Sequence, residues 1–261
     1  MTLDQSYERR FGGIARLYGH AALARFRAAH VVVIGVGGVG SWVAEALARS
    51  GVGRLTLIDL DDICVSNTNR QLPAHDGNFG RMKVAALAER ILAINPECVV
   101  SCIEDFIAAD NFAEHLAGQP DCVVDAIDSV RTKAALIAWC RDHRLKIITT
   151  GGAGGQIDPT QVCVDDLSRT THDPLASKVR STLRREYGFA KGDKKMGVEI
   201  VYSTEQLQYP QPDGSVCAQK PQAGDGPVKL DCAGGFGASV AVTGTFGFVA
   251  AAQALKHLVK T

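Results

Sequence analysis

The stretch VVVIGVGGVGSWVAEALARSGV, residues 31–52, joins a β-branched run to an alanine-rich one through Gly35, Gly37, Gly38 and Gly40. Residues 31–34 read as a fully buried strand and residues 41–49 as a helix. Glycines at such a junction let the backbone turn tightly and approach a phosphate with no Cβ in the way. The first N–H groups of the helix then supply donors and the positive end of a dipole. The stretch asks for a nucleotide.

Working outward, strand-like runs recur at 30–35, 54–59, 98–103, 121–128 and 145–151, with helical patterns at 39–50, 80–95, 110–117 and 130–143. Strands alternating with helices predict an α/β fold: a Rossmann-like, doubly wound, mainly parallel sheet that binds ligands at the carboxyl ends of its strands. After residue 151 the pattern changes. Residues 155–167 and 198–209 read as an antiparallel extension in the C-terminal third. Between them lies a helix capped by Asp173, started by Pro174 and stopped by Gly188. Residues 210–226, rich in Pro, Gly, Gln and Asp, read as a loop. The expectation is one domain, with 1–151 as the nucleotide-binding half and 152–261 as the substrate-binding and dimerisation part.

Hydrophobic residues make up 46% of the 261 and charged residues 21%, so there is ample core, and 28 basic against 28 acidic residues leave no overall field. Any polyanionic partner must be attracted locally. Eight cysteines are scattered through the chain, several inside apolar runs, which predicts buried reduced thiols and no disulfide framework. The N-terminus MTLDQSYERRFGG has no apolar h-region, and a cytoplasmic location is expected. Residues 233–255 carry no charge and are long enough to span a bilayer. Their many glycines and alanines make a helix packed between subunits or under a sheet the better reading than membrane association.

The pattern Gly35-x-Gly37-x-x-Gly40 with Asp59 ending the second strand satisfies the dinucleotide fingerprint, so an NAD-dependent oxidoreductase is one reading. The next residues favour ATP. DLDDICVSNTNRQ (59–71) puts Asn67, Asn69, Arg70 and Gln71 just past the second strand; Lys83 opens the next helix, and Asp128, followed by Ser129, ends the fourth strand. Taken singly, Arg70 reads as a surface ion pair, Lys83 as a solvated helix residue and Asp128 as a helix cap. Converging on one sheet edge, they suit a triphosphate, with Arg and Lys on phosphate oxygens and a carboxylate on Mg²⁺.

GVGGVGSW (35–42), LIDLDD (57–62), NTNRQ (67–71), Lys83 and DAIDS (125–129) resemble the adenylation domain of the ubiquitin-activating enzyme superfamily, which includes MoeB and ThiF. RFGGIARLYG (10–19), TTGGAGGQIDPT (149–160) and DCAGGFGA (231–238) resemble more closely its branch of tRNA threonylcarbamoyladenosine dehydratases. The resemblance implies that Gly38 and its neighbours face the phosphates and Asp59 the ribose. It places Asn67, Arg70 and Lys83 on the triphosphate and Asp128 on magnesium, with Arg70, Lys83 and Asp128 as the catalytic groups. It implies ATP-driven cyclisation of a threonylcarbamoyl side chain on a tRNA adenosine beside the anticodon, through an acyl-adenylate, with AMP and pyrophosphate released. It further implies a homodimer and a link to a cysteine desulfurase and sulfur-acceptor pair. MoeB-like members bring an arginine of the N-terminal segment into the partner's site; the matching place here is Gly13, with Arg10 and Arg16 nearby. Adenylation of a sulfur-carrier protein's C-terminus, as in MoeB or ThiF, is the rival within the superfamily.

MoeB-like and ThiF-like members carry paired Cys-x-x-Cys motifs for zinc; none occurs here, so no zinc is expected. Residues 165–216 contain no cysteine to receive an acyl group. Cys163 and Cys217 flank that region and read as structural thiols, while Cys232 precedes a glycine turn and stays ambiguous. The region is basic: Lys178, Arg180, Arg184, Arg185, Lys191, Lys194 and Lys195 face only Glu186 and Asp193. Such a run is either a solvated helix face or, beside the nucleotide site, a footprint for tRNA phosphates.

Overall fold

The computed structural model describes residues 3–211, 213–219 and 236–260. Two helices that the sequence pattern left unassigned, α1 (Leu3–Tyr18) and α2 (His20–Ala28), precede the first strand. Tyr7, Phe11, Ala15 and Leu23 give them an apolar cluster of their own, and the Tyr7 hydroxyl donates to the Gly51 carbonyl at 2.6 Å.

The alternation that follows matches the sequence reading: β1 (His30–Ile34), α3 (Gly40–Arg49), β2 (Arg54–Ile58), α4 (Lys83–Ile94) and β3 (Val99–Ile103). After them come α5 (Phe112–His115), β4 (Cys122–Asp125), α6 (Val130–Asp142) and β5 (Ile147–Thr150). The chain continues through β6 (Val162–Asp166), α7 (Pro174–Glu186) and β7 (Glu199–Ser203). The sheet order is β3-β2-β1-β4-β5-β7-β6. From β1 the chain first winds outward to β2 and β3, then crosses back to β4 and β5. The winding direction therefore reverses between β1 and β4, and the crevice above their carboxyl ends is where such sheets bind ligands.

The C-terminal third departs from expectation in one respect. β7 lies parallel to β5, so the parallel sheet gains a sixth strand, and β6 alone is antiparallel, paired with β7 from Val162↔Ser203 to Asp166↔Glu199. β6 ends beside the start of β7; residues 167–173 return to the carboxyl edge, and the chain is brought back to begin β7 by α7. Its start is as read: the Asp173 side chain accepts from the Ala176 N–H and Pro174 opens the first turn. Gly188 follows its end in the left-handed region, at φ 68°. In the described part of 210–226, β8 (Tyr209–Pro210) pairs with β9 (Val216–Cys217) in a short hairpin.

Residues 240–260 form α8 (Val240–Lys260), which lies against α3, α2 and one face of the sheet. Its glycines serve close approach. A Cβ on Gly247 would stand 2.6 Å from Trp42 Cβ and 2.7 Å from the Val39 carbonyl. Among the described residues no helix is long and apolar enough to cross a membrane. Helices α6 and α7 cover the other face.

Candidate active site

The glycine turn fills the crevice at the switch point. Gly35 sits at φ 79°, and a Cβ there would press on the Ala126 carbonyl at 3.0 Å. At Gly40 a Cβ would stand 1.8 Å from the Gly35 carbonyl, so no other residue fits. Asp59, at the end of β2, accepts from the Val36 N–H at 2.7 Å with one oxygen and from the Asp61 N–H at 2.9 Å with the other. It ties the glycine turn to the loop after β2.

That loop brings its polar residues over the glycines. A Cβ on Gly38 would touch Arg70 Cγ at 3.3 Å, and one on Gly37 would lie 3.7 Å from Gln71 Nε2. Arg70 donates to the Ser66 carbonyl at 2.9 Å and to Asn69 Oδ1 at 2.8 Å. Its own carbonyl accepts from Trp42 Nε1 at 3.0 Å, while Asn69 Nδ2 donates to the Ala238 carbonyl at 2.7 Å. The segment is thus pinned to α3 on one side and to the entry of α8 on the other. Asn67 is buried, and its Oδ1 accepts from the Cys64 N–H at 3.0 Å, an internal clasp of the loop. Gln71 is buried too, and its Oε1 has no partner among the described residues. An orphaned acceptor beside a glycine turn is a place for a ligand's donor.

Lys83 opens α4 as read, but it is not solvated: only 5% of it is exposed. Its Nζ reaches Asp61 Oδ2 at 2.7 Å and lies 4.0 Å from Asp59 Oδ1. Asp61, which the sequence did not single out, is the counter-ion that a phosphate would replace. Asp128 is exposed, two residues beyond the Ala126 carbonyl that touches Gly35, and makes no hydrogen bond or ion pair among the described residues. Ser129 caps α6, its oxygen accepting from the Thr132 N–H. β4 ends at Asp125, so Asp128 stands three residues past the strand and not at its end; an exposed carboxylate in the turn before α6 suits Mg²⁺, which takes one or two carboxylates plus phosphate and water.

Beneath this edge lies a buried cluster whose Lys133 and Thr149 the sequence did not single out. Asp125 and Lys133 are fully buried, with Lys133 Nζ 2.8 Å from Asp125 Oδ2. The Thr149 hydroxyl donates to the same oxygen at 2.6 Å, and Asp125 Oδ1 accepts from the Ile127 N–H at 3.0 Å. The turn carrying Asp128 is therefore hung on a buried ion pair. The available signal was a lysine on the same helical face as Val130, Ala134 and Ile137. Nearby, buried Asp173 accepts from the Gly152 N–H at 3.0 Å, and burial pushes its carboxyl above the usual range.

The basic segment is not placed as the sequence suggested. Helix α7 starts beside Gly151 and Gly152 at the carboxyl edge, but its 13 residues carry the chain about 20 Å away. Lys191, Lys194 and Lys195 then precede Glu199, the first residue of β7, at the opposite edge. Two of the seven cations also serve the fold. Arg180 donates to the Leu167 and Thr170 carbonyls at 3.2 and 3.1 Å, and Arg184 to those of Ala190 and Gly192 at 3.1 and 2.7 Å. Arg185 pairs with Glu186, and Lys178 is exposed. At the N-terminus, the Arg16 guanidinium lies over Gly12 and Gly13, while Arg10 donates to the Ile94 carbonyl at the end of α4.

Several of the described cysteines have their thiols pushed up. Burial pushes Cys98 up to about 11 and Cys122 and Cys140 up to about 12. Cys64, exposed near the site, is raised by the Asp62 carboxylate beside it. Cys163 and Cys217 lie half-buried in β6 and β9, and Cys232 falls outside the described residues.

The model of the ThiF family matches residues 7–261. The tRNA threonylcarbamoyladenosine dehydratase of Escherichia coli is 55% identical over 259 residues, covering 99% of this chain and 96% of its own. The solved structure of that organism's TcdA in complex with ATP superposes with a TM-score of 0.88 at 49% identity, covering 100% of this chain and 98% of the other. The same enzyme in complex with AMP gives 0.88 at 50% identity over the same shares.

Proposed function

The chain belongs to the ThiF family, and from that premise we propose that it is an ATP-dependent dehydratase acting on threonylcarbamoyladenosine in tRNA. What supports this most is the match over 99% of the chain to a dehydratase of that substrate. The geometry agrees in kind: a glycine turn, Arg70, Gln71 and Lys83 share one strand edge, as a nucleoside triphosphate requires.

A carboxylate is a poor electrophile because its oxygen cannot leave as oxide. Attack of the threonylcarbamoyl carboxylate on the α-phosphate of ATP forms a P–O bond and expels pyrophosphate, giving an acyl-adenylate. The neighbouring ureido group, held by its own covalent tether, then attacks the acyl carbon. The ring closes, AMP leaves and a proton is released. Ring closure has a high effective molarity, so no enzyme thioester is needed. In this chain the glycine-turn N–H groups cradle the phosphates and Gln71 offers its free acceptor. Arg70 and Lys83 stabilise charge developing on the transferred phosphate, with Lys83 leaving Asp61 to do so. Asp128 is the residue that would hold Mg²⁺, which when bound offsets phosphate charge. We also place a homodimer, a single adenylation domain over the whole chain, and coupling to a sulfur-acceptor pair within this proposal.

The test is to combine protein, ATP, Mg²⁺ and tRNA that does or does not carry the threonylcarbamoyl group, following AMP, pyrophosphate and nucleoside mass. Loss of one water mass in the modified nucleoside, matched by AMP, is expected. Asp128→Asn should lose turnover at ordinary Mg²⁺ while still binding ATP. AMP formation that needs a sulfur-carrier protein and ignores tRNA would transfer the assignment to the carrier-adenylating branch.

A further inference from the structure

The dehydratase reading says which base reacts but not where the rest of the RNA is held. A cavity of about 330 Å³ opens at the amino-terminal edge of the sheet, where α6 runs into β5 and where the chain from α7 enters β7. Ile137, Ile147, Phe189 and Met196 line it, the exposed Arg141 guanidinium lies over the Phe189 ring at 4.1 Å from its centroid, and Arg144 and Lys146 join the lining. On its wall Glu199 pairs one oxygen with His257 Nε2 at 3.2 Å, while its Oε1 is buried without a partner among the described residues.

Arg144 is the telling residue. It closes α6 in the left-handed region at φ 57°, with the Leu145 N–H returning to the Cys140 carbonyl at 2.9 Å. Glycine is the ordinary occupant of that position, so the backbone gains nothing from an arginine there. Its side chain, like those of Lys146, Lys191, Lys194 and Lys195, is exposed and makes no ion pair among the described residues. Of the nearby carboxylates, Asp142 and Glu186 are held by Arg141 and Arg185, which leaves Asp121, Asp193 and Glu199 against five cations that make no ion pair among the described residues.

An exposed guanidinium plane beside apolar side chains, with a cationic rim, is what an unstacked nucleotide of single-stranded RNA meets in a binding pocket. We propose that this cavity takes one splayed-out nucleotide of the tRNA. The base stacks on the exposed Arg141 guanidinium, and the flanking phosphates rest on Arg144, Lys146 and the lysines before β7. The proposal rests on the dehydratase reading. The cavity and the Lys83 edge lie at opposite ends of five-residue strands, about 17 Å apart along the strand direction before loops are added. The nucleotide held here is therefore not the one that reacts.

The double variant Arg144→Gly/Lys146→Gln tests this, because glycine at residue 144 relieves the backbone and should not lower the thermal midpoint. Filter binding of tRNA at several salt concentrations should show the log–log slope reduced by about 1.4 to 1.8, or ~0.7–0.9 for each of two phosphate contacts. KM for tRNA should rise roughly tenfold, with kcat at saturating tRNA and ATP affinity unchanged. An unchanged slope and KM, with the wild type cyclising tRNA normally, overturns the pocket alone; a wild type that does not cyclise tRNA overturns the dehydratase reading instead. Saturable binding of free AMP that depends on Arg144, without any change in tRNA binding, also overturns the proposal, since the occupant is then a mononucleotide.

Discussion

Arg70 and Lys83 differ in how the fold prepares them. Arg70 already rests its stem on Gly38, while Lys83 is buried against Asp61, so the second must change partners when a triphosphate arrives. Both contacts are charge-assisted and made mainly as charge develops, so Arg70→Ala and Lys83→Ala should each lose about 3 kcal/mol of transition-state stabilisation, roughly a hundredfold in rate. Thermal unfolding should stay cooperative in both. Normal ATP turnover in both variants would remove them from the site. Lys133 belongs to a different class, since its charge is buried opposite a buried Asp125. Lys133→Met strands that carboxylate without a counter-ion and should cost ~3–5 kcal/mol in urea unfolding. Adding Asp125→Asn should recover most of the loss, because an amide still accepts from Ile127 and can donate to Thr149. A double variant no more stable than the single one would mean that the pair is not the source of the cost.

Helices α3 and α8 meet without a side chain between them at Gly247, and α3 is the helix whose first turn faces the nucleotide crevice. Gly247→Ala forces a methyl against Trp42 and the Val39 carbonyl, an overpacking worth about 1–3 kcal/mol. Since Trp42 also holds the Arg70 carbonyl, the substitution should lower ATP affinity from outside the site. Thermal scans and an ATP titration check both effects, and an unchanged midpoint would show that the contact yields freely. At the start of α7, Asp173 makes a pH-dependent contribution. Burial raises its pKa above the ordinary 3.8, so the folded state holds the proton more tightly than the unfolded state. The stability it adds is complete below 3.8 and is lost as pH rises through the raised folded value. The urea midpoint of the wild type should carry this decline and Asp173→Asn should lack it. The variant should also be less stable by ~1–2 kcal/mol at low pH, because its amide turns a donor toward Gly152 N–H or leaves that group unpaired. Parallel pH profiles for the two proteins would discard the burial argument.

For the molecule as a whole, the nucleotide half was legible because its information is local: a buried β-branched run, obligatory glycines and an acid at the next strand end lie within 31–59. What the sequence did not disclose depends on direction and depth. The seven cations of 178–195 look like one patch in the chain, but α7 runs across the sheet and distributes them between its two edges. Nothing local reveals that Lys83 rests on Asp61 or that Lys133 faces a buried Asp125, because both carboxylates lie elsewhere in the chain. Helices α1 and α2 went unassigned because their apolar residues are divided between a small cluster of their own and the main core, which Ala22 and Phe26 enter. The cysteines were legible for the opposite reason: apolar neighbours in sequence remain apolar neighbours in the fold, and three thiols are held protonated by burial. Of the rest, Cys64 is near the site but sits beside Asp62, whose charge suppresses the thiolate that nucleophilic attack requires. A cyclisation in which substrate attacks substrate makes no demand on any of them. Changing Cys64, Cys163, Cys217 and Cys232 together to serine should therefore leave cyclisation within a few-fold of wild type, against the ~10²-fold or greater loss expected on removing a covalent nucleophile. Intact-mass measurement of wild type quenched during turnover should find no acyl adduct. An adduct that disappears in the serine variant, together with its activity, would place a thioester on the pathway.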